Sequence, residues 1–203
     1  MKKTLIIAAL AFFGMANAQK GTILVGGNVY YNTGKNSVGP NENKSNYFEF
    51  APMVGYQFTD KWTAGIVGGI ASQKNENTSN LNPASNTEQK QNDFKIGAFG
   101  RYTIPLGETF AAFAQLEAGY QGRKDEDTSF NGFFSTTTTS KASGFFVGIT
   151  PALFINMNKG FGLNFGIGGI GYETLNYDNN GGDFSQFNIS FGQSFNIGIS
   201  KNF

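Results

Sequence analysis

Beyond residue 19, apolar side chains recur at every second position rather than every third or fourth. The clearest run is 186–203, where Phe187, Ile189, Phe191, Phe195, Ile197, Ile199 and Phe203 share one parity. Between them lie Asn188, Ser190, Gly192, Ser194, Asn196, Gly198, Ser200 and Asn202. Successive strand side chains point to opposite faces, so the run predicts a strand with one oily and one small, polar face. Gln193 and Lys201 interrupt the oily parity, Lys201 close enough to the end to reach an interface. Phe145, Val147, Ile149, Pro151, Leu153 and Ile155 repeat the scheme, as do Phe94, Ile96, Ala98, Tyr102 and Ile104. Eight such segments are predicted, at 20–31, 45–58, 62–73, 92–104, 109–122, 142–155, 161–172 and 186–203.

The connections alternate in length. Thr59-Asp60-Lys61, Pro105-Leu106-Gly107-Glu108 and Asn156-Met157-Asn158-Lys159-Gly160 read as tight turns. Between them the stretches near 32–44, 74–91, 123–141 and 173–185 are long and polar, and read as loops. Short turns on one rim and long loops on the other are the layout of an up-and-down transmembrane barrel, with both termini on the short-turn, periplasmic side. The predicted fold class is therefore all-β, an eight-stranded antiparallel up-and-down transmembrane β-barrel.

A soluble barrel also alternates, but its polar face carries the charges of a solvated surface. Here that face is mostly Gly, Ala, Ser, Thr and Asn. Away from the rims the strands carry only Glu49, Lys95, Arg101 and Glu117, all on the parity opposite the apolar residues. A Lys or Arg at mid-membrane on the lipid face costs about 2–4 kcal/mol, so a membrane barrel requires that placement. With the fourth and fifth strands pairing about Leu106, Lys95 is expected opposite Glu117, within reach of an ion pair. The four charges form a candidate lumenal network, either a polar plug or the lining of a narrow path. Aromatic residues gather at the strand ends: Tyr56, Phe58, Trp62, Tyr102, Phe110 and Phe161 near the short turns, and Tyr30, Tyr31, Tyr47, Tyr120 and Tyr172 near the long stretches. Amphipathic rings settle at headgroup level, which predicts two girdles.

Composition agrees with this pattern: 28 Gly, 22 Phe and 8 Tyr, with no His and no Cys. The first residues have a separate reading. Lys2 and Lys3 precede an apolar run, Leu5 to Phe13, and Ala16-Asn17-Ala18 offers the small side chains signal peptidase accepts. Residues 1–18 are expected to be a cleaved signal peptide and 19–203 one outer-membrane barrel domain, held without disulfides. Cleavage removes two lysines and leaves a slightly acidic chain, which argues against nucleic-acid binding.

Taken together, the "ANAQKG" junction, the Gly-aromatic strands and the closing "FNIGISKNF" resemble the outer-membrane β-barrel family that includes OmpA-type and small porin-like barrels, in particular members from Bacteroidota. The resemblance spans the mature chain and rests on pattern more than on an invariant motif. It implies that Phe195, Ile197, Ile199 and Phe203 form the alternating signal read by the barrel-assembly machinery, with Lys201 departing from the usual apolar choice. It also implies a cell outer membrane location, with outer-membrane lipid and lipopolysaccharide as surroundings.

Other motifs carry less chemistry. Gly166-Ile167-Gly168-Gly169-Ile170-Gly171 fits GxGxxG, but that fingerprint needs a helix after it; within a strand the glycines are expected to relieve crowding or permit curvature. Asp178-Asn179-Asn180-Gly181-Gly182-Asp183 departs from the calcium-loop order, and Asp125-Glu126-Asp127 reads as solvated charge. Without His or Cys the usual nucleophile–base pairs are missing. No catalysis, cofactor or metal is expected, and the chain is expected to be monomeric. The expected role is presentation of polar loops at the cell surface, for envelope integrity, adhesion or interaction. The alternative is a small porin-like channel for ions or very small solutes.

Overall fold

The computed structural model describes residues 21–158, 161–178 and 181–202. The proposed signal peptide and Phe203 lie outside the described residues. Among the described residues eight antiparallel strands follow one another: β1 (Thr22–Val38), β2 (Asn41–Gln57), β3 (Trp62–Ser79), β4 (Thr87–Pro105), β5 (Phe110–Phe130), β6 (Ser135–Asn158), β7 (Phe161–Tyr177) and β8 (Asp183–Asn202). Each pairs with the next, and β1 meets β8 to close the barrel. The closing seam is short: Leu24 to Gly27 pair with Asn202 to Ile199.

The outward parity is the apolar one. Ile66, Ile96, Leu116, Ile149 and Ile189 all stand exposed on the outer wall, Ile66 at 64 % and Ile189 at 69 %. In water such a wall would be an aggregation surface; against acyl chains it is the favourable arrangement. On β4, Phe94 to Ile104 at about 3.3 Å per residue and a tilt of about 40° spans about 25 Å, the height of an outer-membrane apolar band. Ring contacts tie its edges. Trp62 packs on Tyr102 at 4.9 Å on the short-turn rim, and Tyr120 on Phe94 and Phe145 at 5.9 and 5.8 Å on the other.

Three sequence expectations need correction. First, the long polar stretches are not loops. The strands run on through them as paired arms, β6 reaching 24 residues where about 9–11 cross a bilayer. Asn41 still pairs with Ser79, and Thr87 with Ser129. The tips are brief: Gly39 turns with φ +59°, and Asn131 Oδ1 accepts from the backbone N–H groups of Phe133 and Phe134. Outside the membrane both strand faces are wet, so the apolar alternation that marks a strand disappears although the ladder continues.

Second, Lys95 does not face Glu117. Pro105 pairs with Ala111, which centres the turn on Glu108 rather than Leu106. Pro105 closes the strand, Gly107 takes φ +150°, and the Leu106 N–H bonds to the Phe110 carbonyl at 2.8 Å. The register moves by four, setting Lys95 opposite Gln121 and Glu117 opposite Phe99. An even shift keeps every side chain on its expected face.

Third, Tyr30 and Tyr47 do not belong to the outer girdle. Tyr30 is paired with Glu49 and shares its inward face, and its ring meets that of Tyr47 at 5.6 Å.

The glycine run of β7 has a specific job. Ile149 pairs with Ile170 and Ala152 with Gly166, so β7 carries one residue more than β6 across this interval. That bulge flips parity: Asn164 is buried inward below it, and Leu175 is buried inward above it. Gly168 has φ +114°, and a Cβ there would lie 2.1 Å from the Ser190 carbonyl oxygen. No other residue type fits.

Candidate functional site: the barrel interior

The interior is built from residues whose parity opposes the lipid face. At the short-turn end it is filled by packing. Leu24, Val67 and Phe99 form a buried cluster with Met53 and Phe146 against it. Phe99 lies over Gly55 and Gly65, where a Cβ would come within 2.6 and 2.7 Å of its ring; glycine on two neighbouring strands makes room for one aromatic side chain.

Arg101 stands in this layer, only 5 % exposed. Its guanidinium lies 4.0 Å from the Phe113 ring centroid, its Nε donates to Gln115 Oε1 at 2.7 Å, and a terminal nitrogen donates to Met53 Sδ at 3.4 Å. Gln115 Nε2 in turn donates to Glu117 Oε1. Arg101 and Glu117 are thus joined through an amide, which orients both without direct contact. Stacking and hydrogen bonding offset part of the desolvation of the buried cation.

Above this plug lies a cavity of about 690 Å³, lined by Glu49, Asp93, Lys95, Glu117, Arg123 and Glu173 among others. Tyr47 donates to Glu49 Oε2 at 2.7 Å. Arg123 Nε donates to Asp93 Oδ1 at 2.8 Å, and Gln91 donates to its other oxygen at 2.7 Å. Lys95 reaches Glu173 at 3.6 Å and sits 5.4 Å from the Phe146 ring centroid. The four charges singled out from sequence all line this interior, but in separate groups: Arg101 with Glu117 through Gln115, Lys95 with Glu173, and Glu49 with Tyr47.

Asp93, Arg123 and Glu173 escaped the sequence reading because they fall in stretches taken as rim or loop. Their parity was the available signal, since Asp93 is two residues from Lys95 and Arg123 two from Gln121. Acidic and basic groups are nearly balanced, so the interior has no dominant sign to select an ion. Among the described residues no cluster of acidic side chains is arranged to hold a metal ion. Asp125 instead accepts from the Tyr177 hydroxyl at 3.1 Å.

Of the proposed assembly signal, Ile197 and Ile199 occupy β8 positions opposite Phe165 and Leu163. Phe195 falls where the β7–β8 pairing shifts, between Gly166 and Gly168. The side chains of Phe195, Ile197 and Ile199, and all of Phe203, lie outside the described residues. Lys201 is opposite Phe161, its ammonium 4.7 Å from that ring centroid.

Comparison with known proteins gives one family. The model of the outer membrane protein beta-barrel domain matches residues 5–195. No curated protein matches the chain. Among solved structures, the crystal structure of Ail, the attachment invasion locus protein of Yersinia pestis, aligns at 14 % identity and TM-score 0.39, covering 91 % of this chain and 100 % of that one. The backbone structure of Yersinia pestis Ail in a phospholipid bilayer nanodisc aligns at 14 % identity and TM-score 0.29 with the same coverage. With nearly its whole length inside that family model, the chain belongs to the outer membrane protein β-barrel domain family and is an outer-membrane protein.

Proposed function

We propose that this is a non-enzymatic, monomeric integral barrel whose work is done by its polar arms at the cell surface, in envelope integrity, adhesion or interaction with external partners. The observation that carries this reading is the asymmetry of the molecule. One end is packed shut by Phe99, Phe113 and Arg101, while the other continues as a wall of paired strands past the aromatic edge. In this reading the termini are periplasmic, a signal peptide delivers the chain, and the barrel-assembly machinery inserts it using the end of β8. Outer-membrane lipid and lipopolysaccharide surround it, and nucleic acid has no place in its function.

Protease treatment of intact cells tests it. Cleavage confined to 32–44, 74–91, 123–141 and 173–185, with the barrel core protected, is expected; protected arms would overturn the orientation. The second reading, a small channel, is favoured by the charged 690 Å³ cavity. It requires the Arg101 layer to part, and planar-bilayer recordings on the refolded chain decide it. No steady conductance is expected from the wild type or from Glu117→Ala; a wild-type conductance altered by Glu117→Ala would establish the channel instead.

A further inference from the structure

Just past the aromatic edge the outer wall carries a repeated sequence of rungs. At this edge of β1 to β6 the outward large apolar residues are Tyr31, Phe48, Ile70, Phe94, Tyr120 and Phe145. Two positions farther along each arm, on the same outward face, comes a small or polar residue, and four positions farther comes a lysine. These are Lys35, Lys44, Lys74, Lys90, Lys124 and Lys141.

The register pairs them directly, Lys35 with Lys44, Lys74 with Lys90, and Lys124 with Lys141. Like charges directly opposite one another destabilise a sheet, yet the arrangement recurs on three successive hairpins. Between hairpins the lysines are offset by two: Lys74 faces Asn46, and Lys124 faces Asn92. In a tilted, sheared barrel such a stagger keeps positions near one height.

Carboxylates stand one rung farther from the membrane. Glu42 meets Lys35 and Lys44, each at 2.7 Å; Glu88 meets Lys74 at 2.8 Å and Lys90 at 2.5 Å; Glu126 meets Lys124 at 2.5 Å. With Glu76, which meets Lys74 at 2.5 Å, they relieve part of the repulsion from the outer side and, where Glu76 is paired with Lys44 and Glu126 with Lys90, from the neighbouring hairpin. The side of the lysines that faces the membrane has Asn46, Ser72, Asn92 and Ser143 beneath it, and no carboxylate on that rung.

We propose that this arc of lysines is a docking surface for phosphate-bearing headgroups of outer-leaflet lipid. The headgroup phosphates lie just above the level where aromatic girdles sit. An ammonium pair about 5 Å apart at its base can bridge the oxygens of one phosphate, a point-charge contact that suits lysine. The arc covers six strands and is absent over β7 and β8, where the corresponding positions are Asn176 and Asp183, so the lipid shell would be ordered on one flank of the barrel.

The inference rests on the reading that the arms face outward. Its test uses the full mature chain refolded into phosphatidylcholine vesicles containing either bisphosphorylated lipid A or the same lipid stripped of its phosphates, with retained lipid counted by native mass spectrometry. A clear preference for the phosphorylated lipid is expected. It should fall at least about tenfold when Lys44, Lys74, Lys90 and Lys124 are all changed to Gln, and persist when the same four are changed to Arg. Equal retention of the two lipids, or a preference surviving the Gln changes, would overturn the proposal. So would competition by equimolar inorganic phosphate, which would indicate a free-anion site. Heat-modifiable gel mobility confirms that each variant is folded. Protease access on cells is scored separately: inaccessible arms defeat the orientation, whereas accessible arms without phosphate preference defeat only the docking surface.

Discussion

At the scale of single residues, the interior is governed by how a buried cation is held. Arg101 has an aromatic face, an amide oxygen and a thioether for partners, and its charge is answered at one remove by Glu117 through Gln115. Changing Arg101 to Met preserves much of the volume but leaves Gln115 and Glu117 in the interior without their donor. Removing one partner from a buried charged set is strongly destabilising, so a loss of about 3–5 kcal/mol is expected in urea unfolding in detergent micelles. Pairing the change with Gln115→Met and Glu117→Met should recover part of that loss, because no polar group is then stranded. A triple variant no more stable than Arg101→Met would show that Arg101 acts through packing alone. The same scale explains Gly168. At φ +114° with the Ser190 oxygen 2.1 Å from an ideal Cβ, Gly168→Ala must open the β7–β8 ladder, with an expected loss of about 1–3 kcal/mol and weakened amide protection at Ser190 and Phe191. Gly34, which has open space around it, is the control and should tolerate alanine.

At the scale of strands, legibility followed solvent. Within the bilayer one face must be apolar, and the alternations of Phe94 to Ile104 and Phe145 to Ile155 announced themselves. Beyond Phe94 or Tyr120 nothing demands an apolar face, so Lys90, Glu88, Lys124 and Glu126 read as loop although they are laddered. The same blind spot hid Asp93, Arg123 and Glu173. Register was legible only to parity, because a turn centre displaced by two residues moves the partners by four and changes no face. The β7 bulge had a visible sign in its glycines, but not which residue would be extra. Ion pairing on these arms has a pH signature. Hydrogen bonds from Lys35 and then Lys44 hold the Glu42 carboxyl at about 2, below its usual value, and Lys74 and Lys90 do the same for Glu88, also to about 2. A depressed folded-state value means that the contribution to arm order is fully present above the ordinary carboxylate pKa near 4.3. It is lost as pH falls through about 2. Carboxyl chemical shifts followed from pH 6 to 2 should therefore titrate below pH 3 for Glu42 and Glu88, and molar salt should move both toward ordinary values. Midpoints near 4.3 at low salt would show that the lysines are engaged elsewhere.

At the scale of the whole molecule, three environments are stacked along one axis: a packed plug, a charged cavity and a wet palisade, all behind one continuous oily belt. The belt is what separates a membrane barrel from a water-soluble one with the same topology, and depth is its measurable property. Ile66 sits at the middle of the outward run from Trp62 to Ile70 on β3 and is 64 % exposed, while Tyr102 stands at the short-turn rim, stacked on Trp62. Arg at mid-bilayer costs about 2–4 kcal/mol and at the interface about 0–1 kcal/mol. Ile66→Arg should therefore lower folding free energy in phospholipid vesicles by several times the effect of Tyr102→Arg, once the latter is corrected for the lost ring contact with Tyr102→Ala. In short-chain detergent, which wraps the belt loosely and lets the guanidinium reach water, the difference should shrink. A soluble barrel predicts the reverse pattern, with Ile66→Arg nearly neutral in both media, since an exposed outward position far from any packing contact tolerates charge. The comparison needs only equilibrium unfolding of the two variants in the two media, and it reads the position of the bilayer midplane directly from the sequence of β3.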